Sequence, residues 1–296
     1  MNTSPEKMLG SKTSAPMTAL EGSITIVPTG GPLGAEVRGV DLSVPLSEHI
    51  VSQLRKAWLE HLLLVFRGQK LTDEQLVALA RCFGEPHIVP QFDYDRTGLL
   101  PEIHVVSNVV VEGKAIGRGG AGEAVWHTDM SVFEYPASAT VIYGEEIPPV
   151  EAGGNTRFSN MYTAYDTLPQ ALRDKAEGLR AKHGDSGVKF DNNTNSTDPS
   201  AIHPVVRTHP ETGRKALFLG SRGTTHIQDL GEEEAYLLQE QLWEHATKPE
   251  FILEHEWRPH DVIIWDNRCL SHARSAFDSG ARRVLRRLTV KGEKPV

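Results

Sequence analysis

GRGGAGEAVWHTDM, residues 117 to 130, carries two competing signals. Gly117, Gly119 and Gly122 spell G-x-G-x-x-G, the fingerprint of a dinucleotide loop in a doubly wound α/β fold. His127 and Asp129 spell H-x-D, two metal-ligand types two residues apart. A dinucleotide loop must follow a strand and open a helix, whose N-terminus then meets the pyrophosphate. Here EAVWHTDM follows, with no helical apolar period, and no βαβ unit surrounds it. The glycines therefore read as a flexible loop, or as one that folds over a substrate. H-x-D is also weak alone, because it recurs at His183 and Asp185. The surroundings must choose between the two copies.

Working outward, short strands dominate. LLLVF (62–66), IHVVSNVVV (103–111), ATVIYG (139–144), KALFLG (215–220), FILEHEW (251–257), VIIW (262–265) and VLRRLTV (284–290) are apolar, β-rich and bounded by turn residues. HPETGRK (209–215) reads as a hairpin tip. Three helices are legible. Residues 47 to 60 place Ile50, Leu54 and Trp58 on one face. Thr72 and Gln75 form a capping box ahead of Leu76, Leu79, Ala80 and Phe83. EEEAYLLQEQLWEHA, after Gly231, starts with the acids that a helix N-terminus favours. Many short strands with few helices between them imply a mainly β sandwich or barrel. The expected organisation is an N-terminal tail over 1–22 and a single domain over 23–296. A flexible, lid-like insert around 184–202 is nearly all Gly, Asp, Ser, Asn, Thr and Pro.

Bulk properties narrow the function. A formal net charge of -8 argues against general attraction to nucleic acid or anionic membrane. No run of 18 apolar residues is present to span a bilayer. The first twenty residues lack the apolar core of a secretory leader. Cys82 and Cys269 can build neither a disulfide framework nor a thiolate cage alone. A cytoplasmic protein is expected, with homo-oligomerisation left open.

The chemistry follows from the C-terminal stretch WDNRCLSHARSAFDSGARRVLRRLTV. Residues i and i+2 of an extended segment point the same way, so H-x-D offers two adjacent ligands. A non-haem Fe(II) site needs two imidazoles and one carboxylate, with the remaining positions open. His272 can complete such a set. Arg282, Arg283, Arg286 and Arg287 follow it, with Arg283 and Arg287 on one strand face and Arg286 on the other. Basic residues in an apolar strand are costly unless an anion sits beside them. A guanidinium fork suits a carboxylate such as that of 2-oxoglutarate.

These residues resemble the TauD/TfdA family of Fe(II)- and 2-oxoglutarate-dependent dioxygenases across roughly residues 23 to 294. The resemblance rests on WHTDMSVFEYPASATVIYGEEIPPVEAGGNTRFSNMYTAYDTLP, HPVVRTHPETGRKALFLG and the WDN block above. It implies a double-stranded β-helix, or jelly roll, with flanking helices. It implies His127, Asp129 and His272 as Fe(II) ligands, with 2-oxoglutarate and O2 as co-substrates. Thr156 and Arg283 become partners of the distal 2-oxoglutarate carboxylate. Arg287 corresponds to an arginine near the substrate acid group and the near end of 2-oxoglutarate. The implied reaction oxidises a C–H bond of a small anionic substrate, by hydroxylation, with release of succinate and CO2. The His183–Asp185 copy falls outside the blocks and reads as loop.

One departure bears on substrate. Taurine dioxygenases carry a His and a Tyr that hold substrate where this chain has Val89 and Phe92. A site without those polar handles disfavours taurine, and a pocket near Val89, Phe92 and Phe133 is expected to be more apolar. Three rivals stay open at this stage. The same iron centre can desaturate, close a ring or cleave a C–O or C–S bond. A non-catalytic jelly roll can bind a metal or a small acid. A zinc hydrolase can use the same ligands, although it leaves Thr156 and Arg283 without a role.

Overall fold

The computed structural model describes residues 23–88, 98–184 and 199–296. Two antiparallel-rich sheets face each other. The larger has seven strands in the order Thr25–Pro28, Ala35–Arg38, Leu63–Phe66, Val262–Asp266, Ala139–Glu146, Val284–Val290 and His104–Ser107. The smaller has four, in the order Ile252–His255, Thr156–Asn160, Leu270–Arg274 and Ala124–His127. Beyond the three consecutive strands at one edge of the larger sheet, neighbours are non-consecutive in the chain, as in a jelly roll. The mainly β class and the jelly-roll fold expected from sequence are what the chain adopts.

The larger sheet is buried on both faces, which explains its continuous apolar runs. Leu63, Val65, Ile263, Trp265 and Leu285 face the smaller sheet and belong to one core cluster with Phe158 and Leu270. Leu64, Phe66, Val262, Ile264, Val284 and Leu288 face the other way, under the helices Glu48–His61 and Asp73–Arg81. Those helices contribute Leu54, Trp58, Leu76 and Leu79. Each such side chain adds about 1.5–3 kcal/mol when buried. The Thr72–Gln75 capping box forms in full and starts its helix at Asp73. The acid-led helix runs over Glu232–Ala246.

The structure corrects several boundaries. The stretch 103–111 is not one strand. It ends as a strand at Ser107, and the exposed pairs Val110–Val111 and Lys114–Ala115 form a separate hairpin. Its two-residue turn holds Glu112 and Gly113 at φ 48° and 78°, as a type I′ turn requires. The strand in 215–220 stops at Leu217, and Phe251 closes a 3-10 turn before Ile252–His255 begins. The 209–215 hairpin forms between Val206–Thr208 and Lys215–Leu217. Two helices went unread, Met161–Asp166 and Gln170–Ala176. Asn160 caps the first by accepting from the Tyr162 and Thr163 amides. His183 is not loop: it ends the strand Arg180–His183, pairs with Ala201 and is buried. Residues 201 and 202 likewise belong to a strand rather than to the expected insert. The rest of that insert from 185 to 198, with Asp185, lies outside the described residues, as does the tail 1–22.

Candidate metal centre

The two sheets leave a cavity of about 200 Å³ between them. The smaller sheet lines it with Ala124, His127, Thr156, His272 and Arg274, and the larger with Val106, Ile142, Trp265, Leu285 and Arg287. His127 and His272 are register partners on adjacent strands, with ring centroids 4.1 Å apart. Asp129 follows two residues after His127 and is buried. Its carboxylate oxygens lie 3.9 Å from His127 Nε2 and 4.0 Å from His272 Nε2. Those separations are too long for hydrogen bonds. They suit lone pairs aimed at a shared cation, and one ligand atom from each residue lies within 4.8 Å of the others.

Protonation states follow from the surroundings. His127 Nδ1 lies 2.7 Å from the Val125 carbonyl, which can only accept, so Nδ1 carries a proton and Nε2 is the nitrogen left to offer a lone pair to a metal. Burial, with His127 beside it, pushes His272 down to about 3, so its ring stays neutral. Burial alone would raise the Asp129 carboxyl. Arg287, His272, His127 and the Thr140 hydroxyl outweigh that and hold it well below the ordinary carboxylate range. Arg287 Nη1 donates to Asp129 Oδ1 at 3.1 Å. Two neutral imidazoles and an ionised carboxylate are the donor set a divalent iron takes.

A second tier of contacts orients the carboxylate. Thr140 Oγ1 donates to Asp129 Oδ2 at 2.7 Å and accepts from Asn267 Nδ2 at 2.8 Å. Asn267 Oδ1 in turn accepts from Trp265 Nε1 at 2.8 Å. The Trp265 ring also packs on His272. Sequence reasoning did not find this chain. Its only trace was the WDN triplet, whose partners sit more than a hundred residues away.

The far end of the cavity is basic. Arg283 is 3% exposed, yet among the described residues it makes no ion pair. Its Nε has no partner, and its Nη2 reaches only the Gly154 carbonyl at 3.3 Å. Burial and nearby Arg274 push its pKa down to about 9. The rings of Trp257 and Phe277 flank the guanidinium. Trp257 Nε1 donates to Thr156 Oγ1 at 3.0 Å, which leaves the Thr156 proton free to be donated elsewhere. An orphaned buried guanidinium beside a free hydroxyl donor fits an incoming carboxylate.

The alternation expected along 283–287 holds. Arg286 faces away from the cavity, where Glu145 and Asp73 neutralise it, and Arg282 pairs with Glu146 at the surface. Phe133 sits half-buried in the turn after Asp129 and does not line the cavity. Val89 and Phe92 lie outside the described residues. The rival His183 stands apart, packed against His203 and Phe218.

The sequence matches the family described as "Taurine catabolism dioxygenase TauD, TfdA family" over residues 25–289. The chain belongs to that family. Among its TauD/TfdA relatives is the "Alpha-ketoglutarate-dependent 2,4-dichlorophenoxyacetate dioxygenase" of Cupriavidus pinatubonensis, 36% identical across 86% of this chain and 93% of the relative. Another is the "Pentalenolactone F synthase" of Streptomyces avermitilis, 33% identical across 92% of this chain and 95% of the relative. The crystal structure of a taurine dioxygenase from Burkholderia xenovorans superposes with a TM-score of 0.78 at 36% identity, covering 93% of this chain and 91% of that one. As a TauD/TfdA member, the chain is an Fe(II)- and 2-oxoglutarate-dependent dioxygenase, with 2-oxoglutarate and O2 as co-substrates. Among the described residues no helix is long and apolar enough to cross a membrane.

Proposed function

We propose that His127, Asp129 and His272 hold the Fe(II), and that Thr156 and Arg283 hold the far carboxylate of 2-oxoglutarate. The observation that carries this reading is the buried, unpaired Arg283 in the same cavity as the three ligand side chains. The iron, when bound, supplies the redox chemistry that couples decarboxylation of 2-oxoglutarate to oxidation of a substrate C–H bond. The protein's part is binding and orientation. Arg287 keeps Asp129 ionised and offers its remaining N–H groups to an acid group beside the metal. Trp257 holds Thr156 in a donating orientation. Trp265 and Phe158 pack the His272 ring in place.

The substrate is a small organic anion, and the outcome is hydroxylation. Relatives at 31–36% identity are named for 2,4-dichlorophenoxyacetate, (S)-phenoxypropionate and sulfate esters, all anions. Val89 and Phe92, standing by resemblance where taurine dioxygenases carry polar substrate-holding residues, favour an aryl or alkyl body over taurine. One domain over 23–296 houses the site, and two free cysteines suit a reducing cytoplasm. Incubation with Fe(II), 2-oxoglutarate and O2 against a panel of aryloxy acids, alkyl sulfates and taurine tests the substrate class. Succinate release, with a product 16 mass units heavier or its breakdown pair, is expected from an aryloxy or sulfate anion. Turnover of taurine alone, or of neutral compounds only, would contradict it.

A further inference from the structure

The opening glycine-rich loop has a role of its own. It is fastened at several points. Gly117 lies so close to the strand His104–Ser107 that an added Cβ would meet the Val105 carbonyl oxygen at 2.6 Å. The Arg118 amide donates to that carbonyl at 2.9 Å, and the Arg118 carbonyl accepts from Ser107 at 3.0 Å. Gly117 thus serves close approach to a strand, not a phosphate. Beyond Arg118 the loop crosses to the other sheet. The Phe277 amide donates to the Ala121 carbonyl at 2.9 Å. Arg274 Nη2 donates to the Gly120 and Gly122 carbonyls at 2.9 and 2.6 Å, and its Nη1 to the Ser275 carbonyl at 3.3 Å.

Arg274 is an unusual choice for a loop fastener. It sits two residues beyond His272 on the same strand, so it shares the cavity-facing side with that histidine. Its register partners are Ala124 and Thr156, which puts it at the Thr156–Arg283 end of the cavity. Among the described residues it makes no ion pair, and its guanidinium meets only neutral carbonyls and the face of the Phe277 ring. Arg274 and Arg283 therefore share one pocket end, both guanidiniums lying over the Phe277 ring at 5.0 and 5.8 Å, with no carboxylate paired to either among the described residues. An arriving dianion would supply the counter-charge that both lack.

We propose that Arg274 is a second guanidinium for the far carboxylate of 2-oxoglutarate, and that through it the co-substrate tightens the 117–122 loop over the site. This rests on the assignment of that carboxylate to Thr156 and Arg283 and adds a positioning residue that joins loop to co-substrate. The test loads the protein with Mn(II) and measures 2-oxoglutarate binding by calorimetry and backbone hydrogen exchange of the loop. Wild-type protein should slow exchange across 117–122 when 2-oxoglutarate binds. Arg274→Met should weaken binding about ten-fold and abolish that slowing, while Arg274→Lys, which keeps charge but not the fork, should fall between. A merely structural fastener would speed exchange equally with and without 2-oxoglutarate and leave affinity untouched, and that result would overturn the proposal. Arg283→Met separates the two ideas. Lost binding there with intact binding in Arg274→Met removes Arg274 alone, whereas intact binding in Arg283→Met removes both assignments.

Discussion

The molecule contains two clusters of the same raw material, and they do opposite things. His127, Asp129 and His272 bring three ligand atoms within 4.8 Å, and so do His209, Asp266 and Cys269. In the second cluster every donor has met its acceptor. Arg268 grips Asp266 with Nε on Oδ1 at 2.9 Å and Nη2 on Oδ2 at 2.8 Å. His209 Nδ1 accepts from the Glu211 and Thr212 amides, so its Nε2 carries the proton and donates to Asp266 at 3.1 Å. Burial would raise the Asp266 carboxyl, but Arg268 and His209 hold it low. Neither the Asp266 carboxylate nor the His209 ring has a lone pair left to offer a metal. In the first cluster both Nε2 atoms face a carboxylate at distances where no hydrogen bond forms, beside a cavity. Residue type does not make a metal centre. Unspent lone pairs converging on open space do.

Substitutions at the two aspartates break this contrast most sharply. Asp129→Ala should cut 2-oxoglutarate-dependent succinate formation by about 10³-fold or more, while its circular dichroism spectrum stays that of a folded protein. Asp266→Asn should do the reverse. It leaves the buried Arg268 with Glu211 alone as counter-charge, which costs about 3 kcal/mol of stability in urea unfolding, yet the remaining folded protein should bind Mn(II) with wild-type affinity. Equal loss of metal binding in both variants would erase the distinction.

A smaller effect is expected one contact out. Thr140→Val keeps the shape but removes the hydrogen bond to Asp129 Oδ2. Metal affinity should drop about 10- to 100-fold, as for other groups that orient a ligand, with urea stability falling by about 1–3 kcal/mol because the buried Asn267 Nδ2 also loses its acceptor.

The smallest effect concerns a histidine in neither cluster. Burial, and then His203, pushes His183 down to about 3. The unfolded chain takes up its proton below an ordinary value near 6.5. The neutral folded ring therefore contributes fully above that value, and its contribution is lost as pH falls toward 3. Between pH 7 and 5 this amounts to about 2 kcal/mol, so His183→Leu should flatten the decline of urea stability over that interval. An unchanged slope would mean that the ring is protonated in place.

What was legible from sequence was local or repetitive. The capping box at Thr72 and Gln75 fixed a helix start because its partners lie three residues apart. The strand Val284–Val290 could be split into faces because side chains alternate, and Arg283, Arg286 and Arg287 fall as that alternation requires. What stayed illegible depended on distant partners. Thr140 and Asn267 meet only because the sheet folds them together. Arg286 looked like a call for a foreign anion, but Glu145 and Asp73 supply the charge from within the chain. His183 sat before a stretch rich in turn residues and so read as loop, although pairing with Ala201 and Thr225 makes it strand. Arg274 stood in the quoted C-terminal block without drawing notice, since its carbonyl partners lie some 150 residues earlier.

The central claim is that three side chains converge on one ferrous ion with room for a chelating keto acid. Anaerobic addition of Fe(II) and 2-oxoglutarate, followed by visible absorption, tests it directly. The wild-type protein and Asp266→Asn should both develop the metal-to-ligand charge-transfer band of a chelated 2-oxo acid, and His272→Ala should not. A wild-type protein that stays colourless, or a band that survives His272→Ala at full strength, would contradict the account.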